Sequence, residues 1–313
     1  MSVIDWLLDS DPSIRWQVMR DLISESDATV AHERSRVASE GWGARLLDLQ
    51  GPDGHWGGAA FVPRAWISTQ DTLQLLRDLG VDPTSDRMRR AIVNVRERST
   101  WGEEFGDSPF FEGEVEPCIN GRVLAIGAYF GEASDRLVDR LLQEQLSDGG
   151  WNCDAPRSQR SSFHTTICVL EGLLEYEMAE GPRPNVTAAR LRGQEYLLER
   201  RLFKSRSTGQ IITVDRKTGQ KAAWTDISFP TRWHYDILWG LDYLRRAGVA
   251  PDEHMAEAID LVRKKRDEHG RWPLENPHPG PGPVHFEMEG RAGEPSRWNT
   301  LRALRVVRWA NAS

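Results

Sequence analysis

The feature that most constrains this chain is a short phrase that recurs along it. Gln-x-x-x-Gly-x-Trp occurs at residues 50–56 and at residues 145–151, a diverged copy ends at Trp272, and a weaker echo centres on Trp101. Each copy closes a run with helical apolar spacing and opens a stretch rich in glycine and proline. A signal that returns every several dozen residues predicts stacked copies of one supersecondary unit. We therefore expect residues 1–313 to form one repeat domain, with a less typical N-terminal hairpin over residues 1–41.

Apolar residues recur at steps of three and four almost throughout the chain, which predicts an all-α fold. The candidate inner helices, which carry less charge, are 12–24, 66–79, 117–130, 162–177, 230–247 and 295–310. The candidate outer helices are 2–9, 30–50, 84–98, 134–146, 187–201 and 252–266. Six such hairpins suit a closed α/α toroid or an open solenoid. In either case the long loops meet at the N-terminal ends of the inner helices, where we expect the site.

Composition excludes several classes of protein. The net charge of −7 gives no broad basic surface of the kind that nucleic-acid binders need. The N-terminus has no signal-peptide pattern, no apolar run is long enough to span a bilayer, and the three cysteines suggest reduced thiols in the cytoplasm. Thirteen tryptophans are unusual, and they serve either as plugs at the turns or as walls of an aromatic cavity.

The repeated phrase resembles the motif shared by terpenoid cyclases and by the β-subunits of protein prenyltransferases. This resemblance covers the chain from about residue 42 onward. It implies an α/α toroid with a central Trp-lined cavity for an isoprenoid or other apolar substrate, and a prenyltransferase would also need a helical partner subunit. Structural stapling of the turns is the role we expect for Trp56, Trp151 and Trp272.

A second resemblance concerns a metal. Residues 163–173 are similar to the segment that carries the zinc-binding histidine in prenyltransferase β-subunits, and Glu116-Pro-Cys118 opens an inner helix one repeat earlier. The resemblance implies zinc held by Glu116, Cys118 and His164, although the family has aspartate where this chain has Glu116. A buried thiol and a hydrogen-bonded histidine remain the structural alternative. Cys153 either completes a metal site near Cys118 or is an inert thiol.

Two acidic motifs of the related enzymes are absent. The sequence contains no Asp-x-Asp-Asp, the acid motif of the squalene–hopene type of cyclase, and no Asp-Asp-x-x-Asp for magnesium diphosphate binding. The chain therefore cannot protonate a polyene in the manner of that branch.

Further candidates follow from their position at the starts of the inner helices. As catalytic groups we expect His234, Asp236 and Asp71, and as substrate-binding groups Trp66, Asn120, Arg232, Trp233, Arg297 and Trp298. Arginines near the rim, such as Arg122, Arg232 and Arg302, are candidates for binding a diphosphate or carboxylate. The alternative is structural: Asp236 stabilises a helix N-terminus through the helix dipole, and each of these arginines is a solvated surface charge.

Three functional hypotheses remain open from the sequence. The first is a prenyltransferase-like or cyclase-like enzyme, assisted by zinc. The second is a carbohydrate-active enzyme that uses paired carboxylates, for example Asp71 and Asp236, with sugars stacked on tryptophan. The third is a non-catalytic toroid that binds a small molecule or a protein.

Overall fold

The computed structural model describes residues 1–63, 65–215, 221–232, 234–277 and 283–312, with the backbone alone for residues 214, 215, 221 and 222. Most of the described residues lie in helices. In chain order the α-helices are α1 (Val3–Leu8), α2 (Pro12–Asp21), α3 (Asp27–Ser35), α4 (Gly41–Leu47), α5 (Thr69–Asp78), α6 (Asp86–Arg98), α7 (Pro117–Phe130), α8 (Asp135–Gln143), α9 (Phe163–Glu180), α10 (Pro184–Leu198), α11 (Ile237–Arg246), α12 (Glu253–Lys264) and α13 (Arg297–Asn311). Short 3₁₀ turns cover Arg36–Ala38, Glu103–Phe105 and Phe110–Glu112.

The described strands form two short antiparallel pairs. β1 (Thr213–Asp215) pairs with β2 (Lys221–Ala223), and β3 (Trp272–Pro273) pairs with β4 (Pro295–Ser296). Both pairs lie in long loops that precede an inner helix, so the all-α prediction is confirmed. In the described part of the chain, no helix combines the length and the apolar character that crossing a membrane requires.

The inner helices form a closed ring that consists of α2, α5, α7, α9, α11 and α13. α5 packs against α7, α7 against α9, and α11 against α13. α2 joins α5 through the Trp16 indole, which donates to the Leu79 carbonyl at 3.1 Å. α13 closes onto α2, where Arg305 donates to Gln17 Oε1 at 2.7 Å. The toroid is therefore closed, and the open solenoid is excluded.

Two contacts complete the ring between α7 and α11. The backbones of α7 and α9 touch at Gly121 and Gly172, because a Cβ on Gly172 would lie 2.4 Å from the Gly121 carbonyl oxygen. α9 and α11 are joined by Arg246, which donates to Glu175 Oε2 at 2.7 Å. Glycine is thus required where two inner helices approach most closely.

The repeated phrase fastens the outer layer. In both full copies the glutamine amide donates to the glycine carbonyl of its own turn and to a carbonyl of the next outer helix: Gln50 to Gly54 and Ala91, and Gln145 to Gly149 and Ala189. In three copies the indole donates to the carbonyl ten residues earlier: Trp56 to Leu46, Trp151 to Leu141 and Trp272 to Val262. The structural role expected for these tryptophans is confirmed. The Trp101 indole instead donates to the Phe110 carbonyl.

Some predicted helix starts were too early. α11 begins at Ile237 and not at residue 230, because Asp236 caps it by accepting a hydrogen bond from the Trp239 amide at 2.8 Å. α5 begins at Thr69 and not at residue 66, with Ser68 as its cap. The predicted helix 30–50 is broken into α3, a 3₁₀ turn and α4. Rim candidates before residues 69 and 237 therefore lie in loops.

Candidate functional site

A cavity of about 480 Å³ lies inside the ring, and its lining extends from the first turns of α11 and α13 to the C-terminal turns of α2, α5 and α11. Its walls include the rings of Trp16, Trp239 and Trp298. The lining thus includes the N-terminal rim, where we predicted the site, and it also extends to C-terminal turns, which that prediction left out. Long loops cover the N-terminal rim, as shown by the Trp66 amide, which donates to the Pro283 carbonyl at 3.0 Å.

The cavity is charged as well as aromatic. Seven arginines and five acidic residues line it: Arg20, Arg34, Arg77, Arg245, Arg246, Arg302 and Arg305, with Asp21, Asp78, Glu171, Glu175 and Asp242. Many of these groups are paired, for example Arg77 with Glu175 at 2.8 Å. Because buried charges need compensating partners, these pairs fix the charged wall. The space therefore suits a molecule that has polar groups as well as an apolar body.

A second, smaller space of about 40 Å³ adjoins this cavity. Both are lined by four of the same residues, Gln74, Asp78, Thr231 and Trp239. The Asp78 side chain is 29% exposed, and it faces this shared space. Burial raises the pKa of Asp78 to about 6, although Arg77 opposes the shift. Asp78 can therefore hold or release a proton near neutral pH.

Four of the predicted site residues line the smaller space: Trp66, Asp71, Arg122 and Arg232. The guanidinium carbon of Arg232 lies 4.8 Å from the centre of the Trp66 ring. Asp71 accepts a hydrogen bond from the Ser68 hydroxyl at 2.6 Å. Burial raises the pKa of Asp71, although Arg122 and Arg232 oppose the shift. The structure thus assembles an aromatic ring, a carboxyl group and a guanidinium around one small space.

His234 and Asp236 are placed differently. Asp236 is completely buried, and its carboxylate accepts hydrogen bonds from the backbone amides of Trp239 and Ser228. His234 is also buried, with Nε2 3.3 Å from the Ala223 carbonyl oxygen. Neither side chain lines the two cavities described above. Asp236 is thus a helix cap, it does not share a cavity with Asp71, and the acid–base role of His234 stays a prediction.

Asn120 and Arg297 make contacts within the scaffold. The Asn120 amide group donates to the Glu114 carbonyl at 3.1 Å and accepts from the Glu114 amide at 2.9 Å, so it holds the loop before α7. Arg297 donates to the Trp6 carbonyl at 3.3 Å and lies over the Trp6 ring. The contacts of Arg297 tie α13 to α1. Neither Asn120 nor Arg297 lines either cavity.

Trp298 does line the larger cavity, as expected for a substrate-binding aromatic residue. It stacks on Phe229 with ring centres 4.4 Å apart and an angle of 16° between the planes. Its backbone amide donates to Glu289 at 2.9 Å. Trp233, which we also predicted as a substrate-binding residue, lies outside the described residues.

A candidate metal-binding group lies at the N-terminal rim. The ligand atoms of Glu116, Cys118 and Cys153 all fall within 4.8 Å of one another. His164 lies apart from this group, and its Nε2 is 3.9 Å from Cys168 Sγ. The triad of Glu116, Cys118 and His164 implied by the resemblance is therefore not assembled. Cys153 takes the third position because the turn after the phrase brings it beside the start of α7.

The two thiols of this group are unequal. The hydrogen bond between Cys118 and Cys153, together with burial, raises the pKa of the Cys118 thiol. The same hydrogen bond lowers the pKa of Cys153, which is also partly exposed. A thiolate is the form that binds a metal, so Cys153 is the member that deprotonates first. Two thiols and a carboxylate form a donor set that zinc accepts, and a fourth position would remain for another ligand.

Our reading of the sequence missed Asp78, which the structure places in both cavities. A signal for it was present, because Asp71, Gln74 and Asp78 follow one another at helical spacing on one face of α5. On an inner helix, a polar face opposite the buried Leu73 and Leu76 must point toward the centre of the ring.

Comparisons with known proteins complete this description. No protein-family model matches the sequence, and no match is found among curated proteins. Among solved structures, a variant of the type II terpene cyclase MstE from Scytonema, in complex with geranylgeranyl dihydroxybenzoate, is 16% identical with a TM-score of 0.49, covering 96% of this chain and 87% of that chain. A protein from Actinoplanes is 16% identical with a TM-score of 0.47, over 96% of this chain and 90% of that one. Apo MstE is 17% identical with a TM-score of 0.46, over 97% of this chain and 88% of that one. At such values no residue role passes to this chain.

Proposed function

We propose that this protein is an enzyme that transfers a proton to or from an isoprenoid or other largely apolar small molecule. The molecule binds in the cavity of about 480 Å³, and Asp78 acts as the acid–base group. Asp71, Trp66 and Arg232 contact the end of the molecule that reaches the smaller space.

The placement of Asp78 is the observation that carries this proposal. Its carboxyl group lines both spaces, beside the Trp239 ring and within a ring of helices. Gln74 donates to it at 3.0 Å, which orients the carboxyl group. With its pKa raised to about 6, Asp78 exchanges a proton at a pH where an ordinary aspartate stays ionised.

The cavity walls support a substrate with an apolar body. Trp16, Trp239 and Trp298 offer flat apolar faces, and cavities of this volume hold small organic molecules. The resemblance of the repeated phrase to terpenoid cyclases favours an isoprenoid within that class. The charged part of the wall favours an isoprenoid that also carries oxygen.

The acidity of Asp78 limits the kinds of proton transfer that it can perform. The chain lacks the Asp-x-Asp-Asp motif with which related cyclases protonate a carbon–carbon double bond. A carboxylic acid with a pKa of about 6 instead matches proton exchange at oxygen or at a carbon next to a carbonyl group. We therefore place the reaction at an oxygenated end of the substrate.

The test is solvent-deuterium incorporation at carbon, together with product formation, measured by mass spectrometry after incubation with isoprenoid alcohols, aldehydes and acids. We expect Asp78→Asn to lower the rate of incorporation or of product formation by about 10²–10⁴-fold, the range typical of a lost general acid or base. The wild-type rate should also depend on a group that titrates near pH 6.

Asp139→Asn is the matched control, since Asp139 is exposed on the outer helix α8. It should retain the full rate. Asp71→Asn separates the two carboxyl groups of α5: a larger loss in Asp71→Asn than in Asp78→Asn would assign the proton transfer to Asp71. An unchanged rate in both variants would show that neither group is the acid.

We also propose that Glu116, Cys118 and Cys153 bind zinc. The donor set is the support, because two thiols and a carboxylate within 4.8 Å match zinc in softness and spacing. When bound, zinc would supply a Lewis acid at the rim or activate a fourth ligand. Cys153→Ala and Cys118→Ala should each abolish stoichiometric zinc in the purified protein, whereas His164→Ala should retain it. Loss of zinc in His164→Ala alone would restore the histidine to the site.

A helical partner subunit, which the resemblance to prenyltransferases implies, stays a prediction. Light scattering of the purified chain, alone and mixed with candidate helical subunits of prenyltransferases, tests it. A single stable particle with the mass of one chain under all conditions would count against it.

A further inference from the structure

Arg232 is a partly buried cation beside the smaller space. It lines the smaller space beside Trp66 and also borders the loop of residues 284–290. Its Nη1 is shielded from water and has no hydrogen-bond partner among the described residues. A buried donor without a partner costs free energy, and the cost is higher when the group is charged.

The backbone of Arg232 is also in an unfavourable conformation. Its φ is 47°, in the left-handed region that a non-glycine residue seldom adopts. Strain of this kind persists where the surrounding structure enforces it, and it is frequent at binding sites. The loop between β2 and α11 therefore holds the guanidinium against Trp66 at a cost in stability.

The charged groups near Arg232 do not neutralise it. Asp71 and Glu287 attract it at longer range, without a hydrogen bond to it among the described residues. Asp71 receives its hydrogen bond from Ser68, and Glu287 is exposed. A second arginine, Arg122, lines the smaller space, and His285 belongs to the loop that Arg232 borders. Burial lowers the pKa of Arg232 to about 10, and Arg232 itself contributes, after burial, to the lowered pKa of His285.

We propose that Arg232 is the receptor for an anionic head group of the substrate, a carboxylate or a phosphate. The smaller space of about 40 Å³ takes the head group, and the adjoining cavity of about 480 Å³ takes the apolar body. Asp78 lines both spaces and so lies next to the carbon atoms that follow the head group. A guanidinium suits this role because its planar donors bind both oxygens of such a group. This assignment rests on the proposed function for its apolar body, and on Arg232, with Arg122 lining the same space, for its charge.

The experiment compares farnesol, farnesoic acid and farnesyl phosphate, which share one hydrocarbon chain and differ in the head group. Binding is followed by the fluorescence of the cavity tryptophans. We expect the wild-type protein to bind at least one of the two anions about tenfold more tightly than the alcohol, as charge-assisted hydrogen bonds are stronger than neutral ones. Arg232→Gln should lower the affinity for the preferred anion by about tenfold and change the affinity for farnesol much less. The anion that shows the preference tells a carboxylate from a phosphate.

Arg157→Gln is the charge-matched control, since Arg157 is exposed in the loop before α9. It should keep the preference. Asp71→Asn should strengthen anion binding, because it removes a carboxylate that acts on Arg232. Without ligand, Arg232→Gln should unfold at the same temperature as wild type or at a higher one, which shows that the loss of binding is not a loss of folding.

Inorganic phosphate, tested against chloride at equal ionic strength, separates failure of this assignment from failure of the proposed function. If no isoprenoid binds but phosphate raises the unfolding temperature of wild type and not of Arg232→Gln, the anion site stands and the isoprenoid substrate is wrong. Equal affinity for farnesol and both anions overturns the assignment. So does the absence of both a phosphate effect and any isoprenoid binding.

Discussion

Arg77 on α5 and Glu175 on α9 are joined inside the ring, with 2.8 Å between Nη2 and Oε2. The same oxygen accepts a hydrogen bond from Arg246 on α11 at 2.7 Å. One carboxylate thus links three inner helices whose sequence positions are far apart. These side chains line the cavity, and their ion pairs also hold the inner helices together.

Glu175→Gln should destabilise the protein by about 1.5–3 kcal/mol, because it removes the nearest carboxylate from Arg77 and Arg246 while Glu171 still pairs with both. Burial opposes the ionisation of Glu175, yet Arg77 and Arg246 lower its pKa to about 2 from the ordinary 4.5. Its contribution to stability is therefore present above pH 4.5 and is lost as the pH falls toward 2. Urea unfolding at several pH values measures this. Glu180→Gln, at the exposed end of α9, should change little. Equal stabilities of both variants would contradict the prediction.

Glu289 should make stability fall as the pH rises. Burial raises its pKa to about 7 from 4.5, although Trp298 and Ser296 donate hydrogen bonds to it. The folded state therefore holds a proton that the unfolded state releases between pH 4.5 and 7, and stability declines over that interval. Glu289→Gln should remove this dependence and gain up to roughly 3 kcal/mol at pH 8 relative to wild type. Thermal unfolding from pH 4 to 8 tests it, with the exposed Glu287→Gln as control. A variant that keeps the wild-type slope would refute the shift.

The glutamines of the two full phrases should be of equal importance. Gln145 donates to Gly149 and Ala189, and Gln50 makes the same two contacts in its own repeat. We expect Gln145→Ala and Gln50→Ala each to cost about 1–3 kcal/mol, because buried carbonyls lose their donors. Gln143→Ala, two residues before Gln145 on the exposed side of α8, is the control and should be near neutral. A difference of more than a factor of two between Gln145→Ala and Gln50→Ala would show that the two fastenings are not equivalent.

Gly172→Ala should separate α7 from α9. The new methyl group would lie 2.4 Å from the Gly121 carbonyl oxygen, and a methyl at Gly121 would lie 2.6 Å from the Cys168 carbonyl oxygen. Each substitution should destabilise by about 1–3 kcal/mol through overpacking. The double variant should cost less than the sum, because one displacement of the two helices relieves both clashes. Strict additivity in urea unfolding would indicate that the clashes are relieved independently.

Much of the scaffold could be predicted because its causes are local. Apolar spacing at three and four residues and the Gly-Pro turns identified the helical hairpins, and the repeated phrase identified where the loops lie. Helix starts were less accurate at residues 66 and 230, since the caps Ser68 and Asp236 lie a few residues farther on. The candidate site was predicted only in part. Trp66, Asp71 and Arg232 line one small space, whereas Asp236 is a cap and His164 lies apart from Cys118. The functional roles assigned to these residues stay predictions.

The sequence by itself determined that this chain folds into helical hairpins with long loops on one rim, because helix periodicity and turn chemistry act between neighbouring residues. Only the tertiary structure decided where the cavity lies and which charges face it. Arg77 and Glu175 are 98 residues apart, and their pairing depends on how six inner helices close into a ring. Burial raises the pKa of Asp78 and leaves Nη1 of Arg232 without a hydrogen-bond partner among the described residues, and burial arises only when distant segments come together.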